Sequence, residues 1–137
     1  MQQYNILLTK KERFLATPDA RLLEEMGYTT RIAITGDEFV RDFNNFTPNL
    51  VILAMLFTPG ELFPNKEVHR MGIALYHWIR NVKLDLPIIL YTTLDNTEEL
   101  DGIVDPYFKM LAGSQCRRTH LLNAVQEFLP LRKDKVS

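Results

Sequence analysis

The sequence predicts a doubly wound α/β domain, a five-stranded parallel sheet of order 2-1-3-4-5 within three αβα layers. Three observations carry this. Strand-like apolar runs alternate with stretches of helical periodicity along the chain, which implies a parallel sheet with helices on both faces. Leu50-Val51-Ile52-Leu53 is a continuous apolar run, as a central strand covered on both faces requires. The length of 137 residues suits one domain.

The elements follow in order. Tyr4-Asn5-Ile6-Leu7-Leu8 reads as a short first strand. Thr17-Pro18-Asp19 reads as a helix start: a hydroxyl cap, a proline at the first helical position and an acid in the first turn. Leu22, Leu23 and Met26 supply that helix with an apolar face, and Gly27 ends it. Residues 28–34 hold a second strand, rich in β-branched side chains. Thr35-Gly36-Asp37-Glu38 matches a capping box, and Phe39, Val40, Phe43 and Phe46 then recur at helical spacing until Pro48-Asn49. The apolar third strand follows.

Residues 57–68 carry Pro59, Pro64, Gly60 and Asn65 and read as a loop, long for an α/β connection. Its Phe57, Leu62 and Phe63 leave two roles open, a cover over the strand ends or a surface for a partner. Met71, Leu75, Trp78, Ile79 and Val82 form one helical face. Pro87-Ile88-Ile89-Leu90-Tyr91 is a fourth strand, residues 98–104 a short fourth helix, and residues 107–111 a weaker fifth strand. Thr119 begins a last helix with Leu121, Leu122, Val125, Phe128 and Leu129 on its face. The expected order is (βα)5. Right-handed crossovers narrow it to the flavodoxin-like sheet, where sites lie at the carboxyl ends of the strands. The single domain has its core at about residues 4–129, with 130–137 as a flexible tail.

Bulk properties exclude several classes. No apolar stretch approaches the roughly 20 residues of a membrane span, and no basic-then-apolar leader opens the chain. The lone Cys116 rules out an internal disulfide and fits a reducing cytoplasm. A net charge of −1 gives no field for nucleic acid, and the basic tail Arg132, Lys133, Lys135 reads as a solvated end. Neither GxGxxG nor GxxxxGK[ST] occurs, the histidines lack metal spacing, and no cofactor is expected. Cys116 with His120 four residues on reads as a structural cysteine, not a catalytic pair. Glu67-Val68-His69-Arg70-Met71-Gly72 is similar to the cobalamin-binding acid–x–His–x–x–Gly signature. It sits before the third helix, where that family has it after the first strand, so His69 and His77 read as surface residues.

At the strand ends the sequence resembles the response-regulator receiver (CheY-like) family over nearly the whole chain. Pro48-Asn49-Leu50-Val51-Ile52-Leu53-Ala54 is similar to the third strand of that family, which ends in the phosphoacceptor aspartate. Gly72-Ile73-Ala74-Leu75 with Ile79-Arg80 resembles its third helix, and Pro87-Ile88-Ile89-Leu90-Tyr91-Thr92-Thr93 its fourth strand ending in the hydroxyl residue. Tyr107 matches the switch aromatic.

The resemblance implies a chemistry this chain lacks. Ala54 stands at the acceptor position, Thr9, Lys10 and Lys11 occupy the acidic-pair region, and Met110 fills the lysine position, with Lys109 one place off and Leu111 for the following proline. Thr92 and Tyr107 are retained. Two ammonium groups would repel the Mg²⁺ that the family holds with carboxylates. The chain therefore reads as a degenerate pseudo-receiver. Its expected role is a phosphorylation-independent signalling module of a two-component or phosphorelay type, cytoplasmic and not an enzyme. It would act on another signalling protein through the fourth helix, fifth strand and fifth helix, with Tyr107, Lys109, Arg117 and Arg118 as candidate contacts. The chain ends eight residues past Leu129, so no DNA-binding output module is expected. Two alternatives stay open. One is a small-ligand or anion-binding sensor or small enzyme, with Lys10, Lys11 and Thr92 around an anion. The other is a homodimer through the last helix.

Overall fold

The computed structural model describes residues 3–64, 67–94 and 97–131. Five strands, β1 (Asn5–Thr9), β2 (Thr29–Ala33), β3 (Leu50–Leu53), β4 (Ile88–Thr92) and β5 (Phe108–Ala112), form one sheet of order β2-β1-β3-β4-β5. Every pairing is parallel. Helices α1 (Arg13–Glu25), α2 (Gly36–Phe46), α3 (Met71–Val82) and α4 (Arg118–Phe128) complete the fold.

Strand alternation sorts the core into two layers. Ile6, Leu8, Ile52, Ile89 and Tyr91 pack with Leu23 of α1 and Leu121 and Val125 of α4. Leu7, Val51, Leu53, Ile88 and Leu90 pack with Phe39 and Phe43 of α2 and Leu75 and Ile79 of α3. The rings of Phe39 and Phe43 meet Trp78 edge-on at 5.9 and 5.1 Å, joining α2 to α3. Two helices thus cover each face of the sheet, as the apolar strands demand.

The α2 cap forms with one change. The Glu38 N–H donates to Thr35 Oγ1 at 3.0 Å, while the Glu38 carboxylate accepts from Ile34 N–H at 2.9 Å, one residue ahead of the cap itself. Thr35→Ala should cost about 1 kcal/mol, read as a lower urea midpoint with unchanged slope.

Three sequence expectations need correction. First, α1 begins at Arg13, not Thr17, and Pro18 lies inside it. Ala16, Ala20 and Leu23 make a buried i, i+4, i+7 stripe that needs the extra turn, and this outweighs the positional preference of the proline. Arg13 anchors the new start by donating to Ile32 O at 2.8 Å. Second, the expected fourth helix over 98–104 is a single turn, in which Leu100 and Asp101 both donate to Thr97 O and Gly102 (φ 83°) then reverses the chain. One turn fixes more dihedrals than its bonds repay without neighbours. Leu94, Leu100 and Ile103 cover that part of the sheet instead. Third, Val82 is 53% exposed, and Ile73 and Tyr76 take its place on the buried face of α3. The 57–68 loop buries Phe57 and Phe63 in the α2–α3 layer and leaves Leu62 exposed. Leu131 packs on the α1–α4 layer, and the remaining tail, with Arg132, Lys133 and Lys135, lies outside the described residues.

Candidate functional site

The strand order of the sheet reverses between β1 and β3. A cleft of about 210 Å³ opens beside it, lined by Lys10, Lys11, Leu15, Ala54, Met55, Leu56, Tyr91, Thr92, Thr93 and Leu94. These residues follow β1 and β3, end or follow β4, or come from the first turn of α1. None of the described lining residues is acidic.

Backbone and side-chain bonds fix the floor. Thr9, fully buried, donates its hydroxyl to Ile52 O at 3.3 Å and accepts from Ala54 N–H at 2.9 Å. It therefore clips β1 to the tip of β3 and does not face the cleft, which corrects its placement with Lys10 and Lys11. Thr92 Oγ1 accepts from Leu94 N–H at 3.1 Å. Lys10 Nζ sits 5.5 Å from the centre of the Tyr91 ring. Burial, with Asp19 adding to it, pushes the Tyr91 hydroxyl up to about 12, so it is neutral near pH 7 and no general base. Burial also pushes the Cys116 thiol up, against the lowering effect of Lys10. That disfavours the thiolate, the form a catalytic cysteine uses. His120 Nδ1 lies 3.1 Å from Gln115 O.

The other residues expected at the site separate. Met110 packs on the α2–α3 layer and does not line the cleft. Lys109, on the opposite face of β5, reaches Glu127 of α4 at 3.6 Å. A one-residue slip that brought Lys109 to the Met110 position would turn every β5 side chain over. Tyr107 precedes β5, not within it as expected, and is 42% exposed. Arg117 is exposed, whereas Arg118 Nε donates to the buried Asp19 at 2.8 Å and ties α4 to α1.

None of the described residues of the 57–68 loop lines the cleft. The loop lies against the start of α2, where Thr58 bridges Thr35 and Asp37 accepts from Glu61 N–H and Leu62 N–H. Neither of its expected roles fits Phe57 and Phe63, which are core. A second groove of about 500 Å³ flanks α3 near Phe63, Ile73, His77 and Trp78, and the Arg70–Glu99 ion pair places opposite charges side by side there. It lies away from the strand ends.

Magnesium does not fit the described lining of the strand-end cleft, which offers two ammonium groups and no carboxylate. Among the described residues no cluster of three or more His, Cys, Asp or Glu is placed to hold any metal. No described helix is long and apolar enough to cross a membrane.

No protein-family model and no curated protein matches the chain. Solved structures do. The signal receiver domain of an HD domain-containing protein from Pseudomonas fluorescens aligns at a TM-score of 0.73 and 20% identity, over 93% of this chain and 95% of that one. Response regulator TrrA of Thermotoga maritima aligns at 0.70 and 24%, over 92% and 99%. The receiver domain of Francisella response regulator 1452 aligns at 0.69 and 20%, over 91% and 95%. The chain has the fold of a response-regulator receiver domain.

Within the receiver fold, Ala54 directly follows β3, Lys10 and Lys11 directly follow β1, and Thr92 ends β4, the ends from which the strand-end cleft is built. The structure brings these four, which the sequence placed at the strand ends, to one cleft. Sequence reading missed Asp19 and Tyr91, because Asp19 looks like a solvated first-turn acid and Tyr91 like any strand aromatic. Their partners lie on other elements, 99 residues away in the case of Arg118 and Asp19. No local pattern could mark them.

Proposed function

We propose that this receiver-fold domain is a phosphorylation-independent signalling module that acts by binding another protein. One observation carries the reading: the strand-end cleft has alanine at the tip of β3, two lysines after β1 and no acid in its described lining. A methyl group cannot attack a phosphoryl donor, and the lysines repel the metal that would assist it. No phosphoryl group then biases Thr92 and Tyr107 between two states.

The face of β5 and α4 supports the partner role. Tyr107 and Arg117 are exposed there, and Lys109 is held by a solvent-exposed ion pair that gives little stability and is readily exchanged for a partner contact. Arg118 contributes less, because its guanidinium is committed to Asp19.

Phosphodonor labelling tests the reading. Ala54→Asp, incubated with a small acyl phosphate and Mg²⁺, should take up no label above the unmodified chain, since Lys10 and Lys11 remain. Ready labelling of Ala54→Asp would overturn the proposal. So would a saturable, Mg²⁺-dependent change in the fluorescence of Trp78, the single tryptophan, on adding a phosphoryl mimic to the unmodified chain.

A further inference from the structure

The cleft that lacks the phosphorylation groups still has the makings of a binding site. Its lining divides into two parts. Lys10 and Lys11 bring two cations to one side, and Thr92 brings a hydroxyl. Because Thr92 Oγ1 accepts the Leu94 N–H, its own hydroxyl hydrogen remains to donate to a ligand. Leu15, Ala54, Met55, Leu56 and Leu94 make the rest apolar.

We propose that this cleft binds a small organic anion: a carboxylate or phosphate monoester head between Lys10, Lys11 and Thr92, and a short apolar body against Leu15, Ala54 and Leu56. Four observations argue for it. The place is the crevice at the carboxyl ends of the strands, beside the point where strand order reverses, where open α/β sheets bind ligands. The whole chain carries a net charge of −1, yet none of the described lining is acidic, so the local field is positive against a near-neutral background. Glu12, next to Lys11 in sequence, makes no side-chain cap bond and does not line the cleft. Leu15 and Leu56 stay half exposed at the mouth, at 50% and 40%, where an apolar ligand would cover them.

Size selects the ligand. A volume of about 210 Å³ lies below the roughly 300–1,000 Å³ of sites for drug-sized molecules. The match is a short-chain acid, not a nucleotide. Lys10 is already oriented by the Tyr91 ring, which lowers the entropy cost of engaging the head group. This site is independent of partner binding through the β5–α4 face: either can fail without the other.

The test is an NMR titration of the full chain with four probes: hexanoate, hexyl phosphate, hexanol and inorganic phosphate, without Mg²⁺. Saturable shifts are expected with hexanoate or hexyl phosphate, clustered at the amides of Ala54, Leu56, Thr92 and Leu94. Whichever binds tighter names the head group. The double variant Lys10→Gln/Lys11→Gln should bind that probe at least about tenfold more weakly, as loss of a charged hydrogen bond implies. It should keep its spectrum dispersed, because both side chains lie at the surface. Equal binding of hexanol would overturn the role of the charge, and equal binding of inorganic phosphate the role of the apolar wall. No saturable shift with any probe, shifts clustered elsewhere, or undiminished binding by the double variant would overturn the site.

Discussion

Gly72→Val should cost about 3 kcal/mol of folding stability, the upper end for overpacking, out of the roughly 5–15 kcal/mol of a typical domain. Gly72 opens α3 directly behind the candidate site. A Cβ there would lie 2.6 Å from Ala54 O and 2.9 Å from Met55 Cα, both backbone atoms at the end of the central strand. Gly72 N–H also donates to Met55 O at 3.1 Å, so helix and strand are joined at this point and neither can retreat alone. Gly36 is placed as tightly: a Cβ there would meet Pro59 O at 2.1 Å and the buried Phe63 ring at 2.5 and 2.9 Å, and Gly36 N–H donates to Thr58 O at 2.8 Å. Urea unfolding checks Gly72→Val: its midpoint should drop by about 2 M at ordinary slopes, and an unchanged midpoint would show that the start of α3 can move off the strand end.

Asp105→Ala should cost about 2–3 kcal/mol, somewhat less than the loss of one partner from a fully buried ion pair. Asp105 Oδ2 accepts from Arg80 Nε and from the Tyr76 hydroxyl, each at 2.7 Å, and Oδ1 accepts from Tyr107 N–H at 2.9 Å. Arg80 also donates to Tyr107 O and Lys83 O. With the fourth helix reduced to one turn, this network is what fastens the approach to β5 onto α3. Removing the carboxylate strands a guanidinium whose side chain is only 12% exposed and frees the backbone under Tyr107.

The same group sets an acid limb of stability. Burial pushes the Asp105 carboxyl up, but the bonds from Arg80, Tyr76 and Tyr107 outweigh it and hold it below its ordinary value of 3.8. The folded pKa is thus lower than the unfolded one. Its stabilisation is present above the unfolded pKa and is lost as pH falls through the folded pKa. Asp105→Asn should therefore lose less stability than the unmodified chain between pH 5 and pH 2, measured by urea midpoints along the titration. Parallel curves would show that Asp105 is not linked to folding.

The capping box at Thr35 and the apolar run of β3 were legible because both depend on residues within one turn or one strand. So was the strand-end cleft: the alternation of elements fixes which ends of the strands converge, and Lys10, Lys11, Ala54 and Thr92 are simply the residues there. Pro18 misled because a proline reads as a boundary, while the stripe of Ala16, Ala20 and Leu23 that overrides it gains its energy only from the sheet beneath. Residues 98–104 misled for the converse reason. Their helical pattern is too short to hold itself, and Asp105 draws the chain toward Arg80 before a second turn can form.

Sequence by itself determined the α/β class and the strand order, because strand and helix periodicity are local and right-handed crossovers leave few ways to join such elements. It also determined that the strand ends carry Ala54, Lys10 and Lys11, a methyl and two ammonium groups. Tertiary structure alone decided that Thr9 turns inward as a clip, that Lys109 and Met110 stand on opposite faces of β5, and that Arg118 is spent on Asp19 across 99 residues. Those outcomes depend on which surfaces meet, and packing between distant segments leaves no local pattern to read.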